Sequence, residues 1–475
     1  MRGLPSVSTG ERQRARRWDA IVLGSSLPGL VASVRLAMHG ARVLVLEEDA
    51  SREIFTGLRE PFLVTGADAG SVLGACMQAM GMALIDRRRL ESGPLAYQVV
   101  LPDARLDFGE PTNTIRELVA WGLADAENAR RLVRALGAAA EAERSAILVT
   151  ASAAGARRPG KPGRAAAPAP PHLPRPPAPH SRGFPAEASL AGGRLAAMLG
   201  GQLRALSNLA ASTPPPEAAS RLLGLGLEGG VGDSQPDTWL RPLLRRRVES
   251  LFGEFRTVSG RFRLVNAAKE PGVLLADGNE LLVGRSLLLN APHASLVRAL
   301  DDPPPELARL APATRRRLGV HFQVPREWVP EGMGPRVVCL GRSSLPLEGT
   351  DVVTIRTWRG ARKDDPLDVV ASAVVAADEP DLPAREAEIE AAVTGLMPFS
   401  RGRLVRKRAP TPTWDDDALL TDPTPGSAWP ADPQIRLSNR PPIYGLERGG
   451  AAALGFEGDL MLGWRSGDAI AGEIG

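Results

Sequence analysis

The sequence predicts an α/β fold: a doubly wound sheet, assembled from discontinuous segments, with a second α+β domain beside it. Three observations carry that expectation. Residues 19–49, "DAIVLGSSLPGLVASVRLAMHGARVLVLEED", read as strand, glycine turn, helix and strand. Helical patterns fill residues 72–148 and 190–250. Beyond them come short β segments separated by Gly or Asp-Gly turns, spaced like the strands of a larger sheet. A chain of 475 residues has room for roughly two or three domains, and it shows no internal repeat.

Each element has its own justification. Residues 1–17 are basic and read as a flexible arm. In the first helix Leu30, Val31, Val34 and Met38 recur at helical spacing, and Gly40 stands where a left-handed cap ends it. "ARVLVLEED" is continuously apolar, as a strand buried on both faces by a parallel sheet must be. "AYQVVLPDARLDFG" is a strand pair around the turn Pro102-Asp103. Residues 155–186 are dominated by Pro, Ala, Gly and Arg, cannot assemble a core, and read as a disordered or polyproline insertion. "TWLRPLLRRRVESLFG" is an amphipathic helix with leucines inward and arginines in water. The last element, "GDLMLGWRSGDAIAGEIG", reads as strand, turn and the start of a helix.

Composition excludes several classes of function. The net charge is only +4 and the arginines are interspersed with acids, which argues for a solvated face and against nucleic-acid binding. Cys76 and Cys339 form no Cys-x-x-Cys pair, so a disulfide framework, a zinc site and a redox dithiol are not expected; a reducing, cytoplasmic compartment fits. The N-terminus lacks the apolar core of a secretory signal, and no uncharged apolar run is long enough to span a membrane; peripheral membrane contact is the most that is expected. Five dispersed histidines make no metal motif. There is no Gly-x-Ser-x-Gly elbow. Asp415, Asp416 and Asp417 lack the glycine and spacing of a calcium loop and read as a solvated turn.

The chemistry is concentrated in "GSSLPG". In a dinucleotide-binding βαβ unit the first glycine turns the chain out of the strand, the second admits the pyrophosphate, and the third lets the helix pack closely. Gly24 and Gly29 hold the first and third positions, and Ser26 stands at the second. Pro28 is tolerated because the first helical turn has no intrahelical use for its N–H. Glu47 ends the next strand, where a carboxylate accepts from a ribose and repels a 2′-phosphate, which argues against NADP.

With those residues the unit resembles FAD-dependent oxidoreductases of the amine oxidase and phytoene desaturase superfamily, and "GSSLPGL" is similar to a "GASLAGL" variant found among flavoproteins. The resemblance implies an FAD-binding, Rossmann-like domain from residues 18–115, 245–300 and 435–475. The substrate domain would come from residues 116–244 and 301–434. As cofactor-binding residues it implies Gly24, Ser25, Ser26, Gly29 and Glu47, Arg59 in a displaced Gly-Gly-Arg-like motif, and Val258 beside the adenine. From the closing segment it adds Gly463, Trp464, Ala471 and Gly472, with Tyr444 the other aromatic near a flavin. Trp464 replaces the acidic residue that often follows the closing glycine. The implied reaction is hydride transfer from a small, apolar organic substrate to flavin. The sequence identifies no catalytic acid or base, and two alternatives stay open: an NAD-binding oxidoreductase, and a degenerate flavoprotein fold serving as a non-catalytic binding module.

Overall fold

The computed structural model describes residues 4, 14–49, 55–155, 193–210, 214–232, 239–275, 280–308, 314–342, 347–359, 362, 365–407, 414–415, 418–420, 434–446, 448 and 451–474. Apart from Gly155, the proline-rich stretch 155–186 lies outside them.

The first sheet is built around β1 (Arg14–Leu23) and β2 (Val43–Glu48). Strand Glu280–Leu289 lies parallel on the far side of β1, and Pro442–Leu446 lies parallel beyond it. Strand Glu254–Val258 runs parallel to β2 at the other edge. Every residue of β2 is buried, as its unbroken apolar run requires. Alternation along β1 divides the two faces. Ala20 and Val22 pack with Ala32 and Leu36 of α1 (Leu27–Met38) and with Leu462 and Ile470 of the closing helix Gly455–Ile474. Ile21 and Leu23 pack instead with Phe262, Leu264 and Val273 of an antiparallel hairpin, and with Leu296 and Trp414.

A second sheet, ordered Val405–Lys407, Arg315–Val324, Leu367–Ala376, Val352–Trp358, Arg336–Leu340, Leu95–Leu101 and Ala104–Gly109, is antiparallel except between Arg336–Leu340 and Leu95–Leu101. Helix Leu382–Leu396 covers part of it with Ile389 and Val393. Tyr97, Phe108 and Val338 instead join the leucines of helices Ala126–Gly155, Gly193–Leu206 and Pro216–Leu227 in the largest core. Among the described residues no helix is long and apolar enough to cross a membrane.

Two local expectations are corrected. β1 begins at Arg14 and pairs from there with Glu280, so the end of the expected arm belongs to the sheet. Residues 455–474 are one helix, not strand, turn and helix start. "DLML" is too short a run to decide between the two periods, and Phe456, Leu460, Gly463, Gly467 and Ile470 mark a helical face. The strand that precedes this helix is the upstream segment Pro442–Leu446.

Candidate functional site

β1 delivers the chain to Gly24, whose φ of +106° and 2.9 Å approach, for an added Cβ, to the Ala291 nitrogen leave room only for glycine. Asn290, at the end of the neighbouring strand, donates from Nδ2 to the Gly24 carbonyl at 2.9 Å and to Ser26 Oγ at 2.8 Å. A Cβ on Gly29 would lie 2.3 Å from that same Nδ2, so the close packing expected of the third glycine is here against Asn290. Ser26 is the extended N-cap of α1, with Pro28 in the first turn.

The anion position at this helix start is filled from within the chain. Ser25 donates from its backbone N to Asp415 Oδ1 at 3.0 Å and from its hydroxyl to Oδ2 at 2.8 Å. Arg59 Nη2 donates to Asp415 Oδ1 at 3.0 Å and to its carbonyl at 2.7 Å. Arg241 Nη2 reaches Ser25 Oγ at 3.3 Å. Asp415 is 1% exposed, which corrects its reading as a solvated turn residue; Asp416 and Asp417 lie outside the described residues. Trp414 is what draws it inward: its ring packs edge-on against Phe262 at 5.3 Å, and its backbone N–H donates to Glu48 Oε2 at 3.3 Å. The sequence signal was that tryptophan, an apolar anchor placed before an acid. A backbone N–H at a helix start, a hydroxyl and a guanidinium are the donor set that a phosphate takes, and the carboxylate stands in for one.

The flanking residues are equally committed. Glu47 is buried at the end of β2, and Arg245 Nη1 donates to both its oxygens at 2.9 and 2.8 Å. Glu60 accepts from the backbone N–H groups of Leu240 and Arg241 at 2.9 and 3.0 Å, capping helix Leu240–Ser250. Burial pushes its carboxyl up from the usual range, against the pull of those bonds and of Arg241 and Arg356. Val258 is buried and pairs in register with Glu48, one residue beyond Glu47.

Gly24, Ser25, Ser26, Gly29 and Arg59 are thus gathered at one point, with Glu47 and Val258 at the ends of adjoining strands. The closing residues stand apart, on the helix behind α1. A Cβ on Gly463 would meet the Pro28 carbonyl at 2.4 Å and Val31 Cβ at 2.7 Å, and one on Gly467 would meet Arg35 Cβ at 2.6 Å. Trp464 is half-buried and donates to Asp468 Oδ2 at 3.1 Å, the carboxylate that also takes Arg35 Nε at 2.7 Å. Ala471 packs at the edge of the same core, an added Cβ on Gly472 would meet nothing within 4 Å, and Tyr444 is buried on the helix-covered face. Gly463→Val is therefore expected to cost about 1–3 kcal/mol through overpacking. Thermal denaturation should show the loss with flavin affinity of the folded protein unchanged; the reverse pattern would return Gly463 to the cofactor.

Beyond Leu27, between α1 and the second sheet, lies a cavity of about 220 Å³. Leu58, Phe62, Leu63, Leu222, Leu225 and Phe456 form apolar wall, and Arg59, Arg317, Arg356 and Arg448 line it with the two carboxylates Glu60 and Asp459. Among the described residues no cluster of His, Cys, Asp and Glu is placed to hold a metal.

No protein-family profile matches the chain. A short stretch of 39 residues, 8% of the chain, is 56% identical to prolycopene isomerase 2, chloroplastic, from an Oncidium hybrid cultivar. A stretch of 45 residues is 53% identical to prolycopene isomerase, chloroplastic, from Daucus carota. Each match spans only 7% of the length of the curated relative. Among solved structures, wild-type putrescine oxidase bound to putrescine aligns with a TM-score of 0.50 over 96% of this chain and 99% of that one, at 14% identity. The chain therefore has the fold of the amine oxidase and phytoene desaturase superfamily, the resemblance that residues 19–49 carry.

Proposed function

We propose that this protein is an FAD-dependent oxidoreductase that takes a hydride from a small organic substrate with a substantial apolar body. The observation that supports it best is the convergence of Ser25 N, Ser25 Oγ and Arg59 on one buried anion at the N-terminus of α1. In this reading Gly24, Ser25, Ser26 and Gly29 form the pyrophosphate cradle, Arg59 neutralises a phosphate, and Glu47 takes a ribose after exchanging its Arg245 partner. FAD, when bound, supplies a two-electron acceptor. The chain's own contribution is positioning: Leu27, Phe62 and Leu63 border the cavity next to the cradle and exclude water from it. No side chain is assigned proton transfer.

The test is reconstitution. Protein incubated with FAD and freed of excess is expected to retain the visible bands of bound flavin and to melt at higher temperature, whereas NAD should do neither. Stabilisation by NAD alone would sink the flavin reading in favour of an NAD-binding protein. One observation favours a second reading: Asp415 already satisfies the cradle and Arg245 already satisfies Glu47. A protein indifferent to both nucleotides would be a cofactor-free fold with Asp415 as its built-in counter-ion.

A further inference from the structure

The cavity beside the cradle carries more positive charge than its own carboxylates answer. Asp459 is taken by Arg448, which donates to it at 3.0 and 2.8 Å. Glu60 is taken by the two N–H groups it caps, and Arg59 by Asp415. Arg356 donates to the carbonyls of Pro61 and Gly57 and lies over the Trp358 ring. Among the described residues Arg317 donates only to carbonyls, those of Ala205 and Ser207. Arg317 has no ion-pair partner among the described residues, although it lines the cavity.

The charges repel one another. Burial pushes the Arg317 guanidinium down to about 10, Arg204, Arg356 and Arg448 push the same way, and only Asp459 opposes them. Arg204, adjoining the cavity, is likewise pushed down to about 10, by burial and then by Arg315. Buried cations without counter-charge are costly, and an anion that enters between them relieves that cost. An ammonium would add to it.

We propose that this cavity binds an organic anion, its carboxylate or phosphate held by Arg317 in the positive field of Arg356 and Arg448, and its apolar body resting on Leu58, Phe62 and Leu222. This names a substrate class for the oxidoreductase reading and rests on it only for the word substrate; the binding itself needs no flavin. The arginine fork suits either oxyanion, since both accept paired N–H bonds. The same geometry argues against a cationic amine in this cavity.

The experiment is a binding series by calorimetry and thermal shift on the purified full chain. Its probes are phenylacetate, phenyl phosphate, phenylacetamide and phenethylamine. One or both anions should bind saturably, and the amide and the amine should not. Arg317→Gln should weaken the anion by about ten-fold or more, the scale of a lost charged hydrogen bond. Arg317→Lys should retain part of the affinity and serves as the folding control. Amine binding as tight as that of the anions, anion binding untouched by Arg317→Gln, or no saturable anion binding would each overturn the proposal. Repeating the series with FAD present distinguishes the sources of anion. Anions that bind alongside FAD occupy a site of their own; anions that FAD displaces mean that Arg317 serves the cofactor's phosphates. Should FAD fail to bind at all, the flavin reading fails while the anion series still decides this one.

Discussion

Arg221→Met should be the most damaging single substitution in this chain, lowering unfolding free energy by about 3–5 kcal/mol in a denaturant titration. Arg221 is wholly buried between helix Pro216–Leu227 and the closing helix. Its Nε and Nη2 donate to the two oxygens of Glu457 at 2.8 and 2.7 Å, and its Nη1 donates to Glu228 at 2.5 Å. Burial works against its charge, but Glu457 and Glu228 more than reverse this and hold the guanidinium above its ordinary value. Removing the cation strands Glu457, itself 0% exposed, without its counter-ion. The double replacement Arg221→Met with Glu457→Leu should recover much of the loss, because two apolar side chains avoid the desolvation that an ion pair must overcome. If the single and double variants are equally unstable, packing rather than charge is what the arginine contributes.

Asp415→Asn should raise affinity for FAD by about ten- to a hundred-fold, the range expected when a charged hydrogen-bond acceptor no longer competes for the same donors. The carboxylate now holds Ser25 N, Ser25 Oγ and Arg59, and a phosphate must displace it to reach them. The asparagine keeps the shape but gives up the charge, so the nucleotide-free protein should lose a little stability while the complex gains. Titration of flavin fluorescence measures the first effect and thermal melting without nucleotide the second. Unchanged or weaker affinity would mean that Asp415 and the cofactor do not contend for one place.

Much of the first sheet was legible because the relevant signals are local. "DAIVLG" and "ARVLVLEED" announce buried strands by composition, and Gly24 announces its turn by a backbone conformation that other residues resist. The cradle's actual contacts were not legible, since they come from residues with no signature of their own. Asn290 reaches Gly24 and Ser26 from the next strand, and Asp415 arrives behind a tryptophan. The closing segment was misread for a different reason. Gly463 suggested a turn, yet together with Gly467, one helical turn on, it marks where two helices touch. An arginine's sequence neighbourhood says little about whether its charge will be answered, so the cavity's cations emerged only once strand Arg315–Val324 was set against Arg356 and Arg448.

The order of strands in the first sheet governs when this protein can become a folded object. β1 is flanked by β2 and by Glu280–Leu289, and the bond from Asn290 to Gly24 spans 266 positions of chain. During synthesis the β1–α1–β2 unit therefore emerges with both outer strand edges unpaired and waits for strands Glu254–Val258 and Glu280–Leu289 to follow. Closing so distant a contact is slow, and an apolar edge exposed in the interval invites pairing with other chains. The nascent β1–α1–β2 unit is accordingly exposed to such mispairing until the middle of the chain has been made.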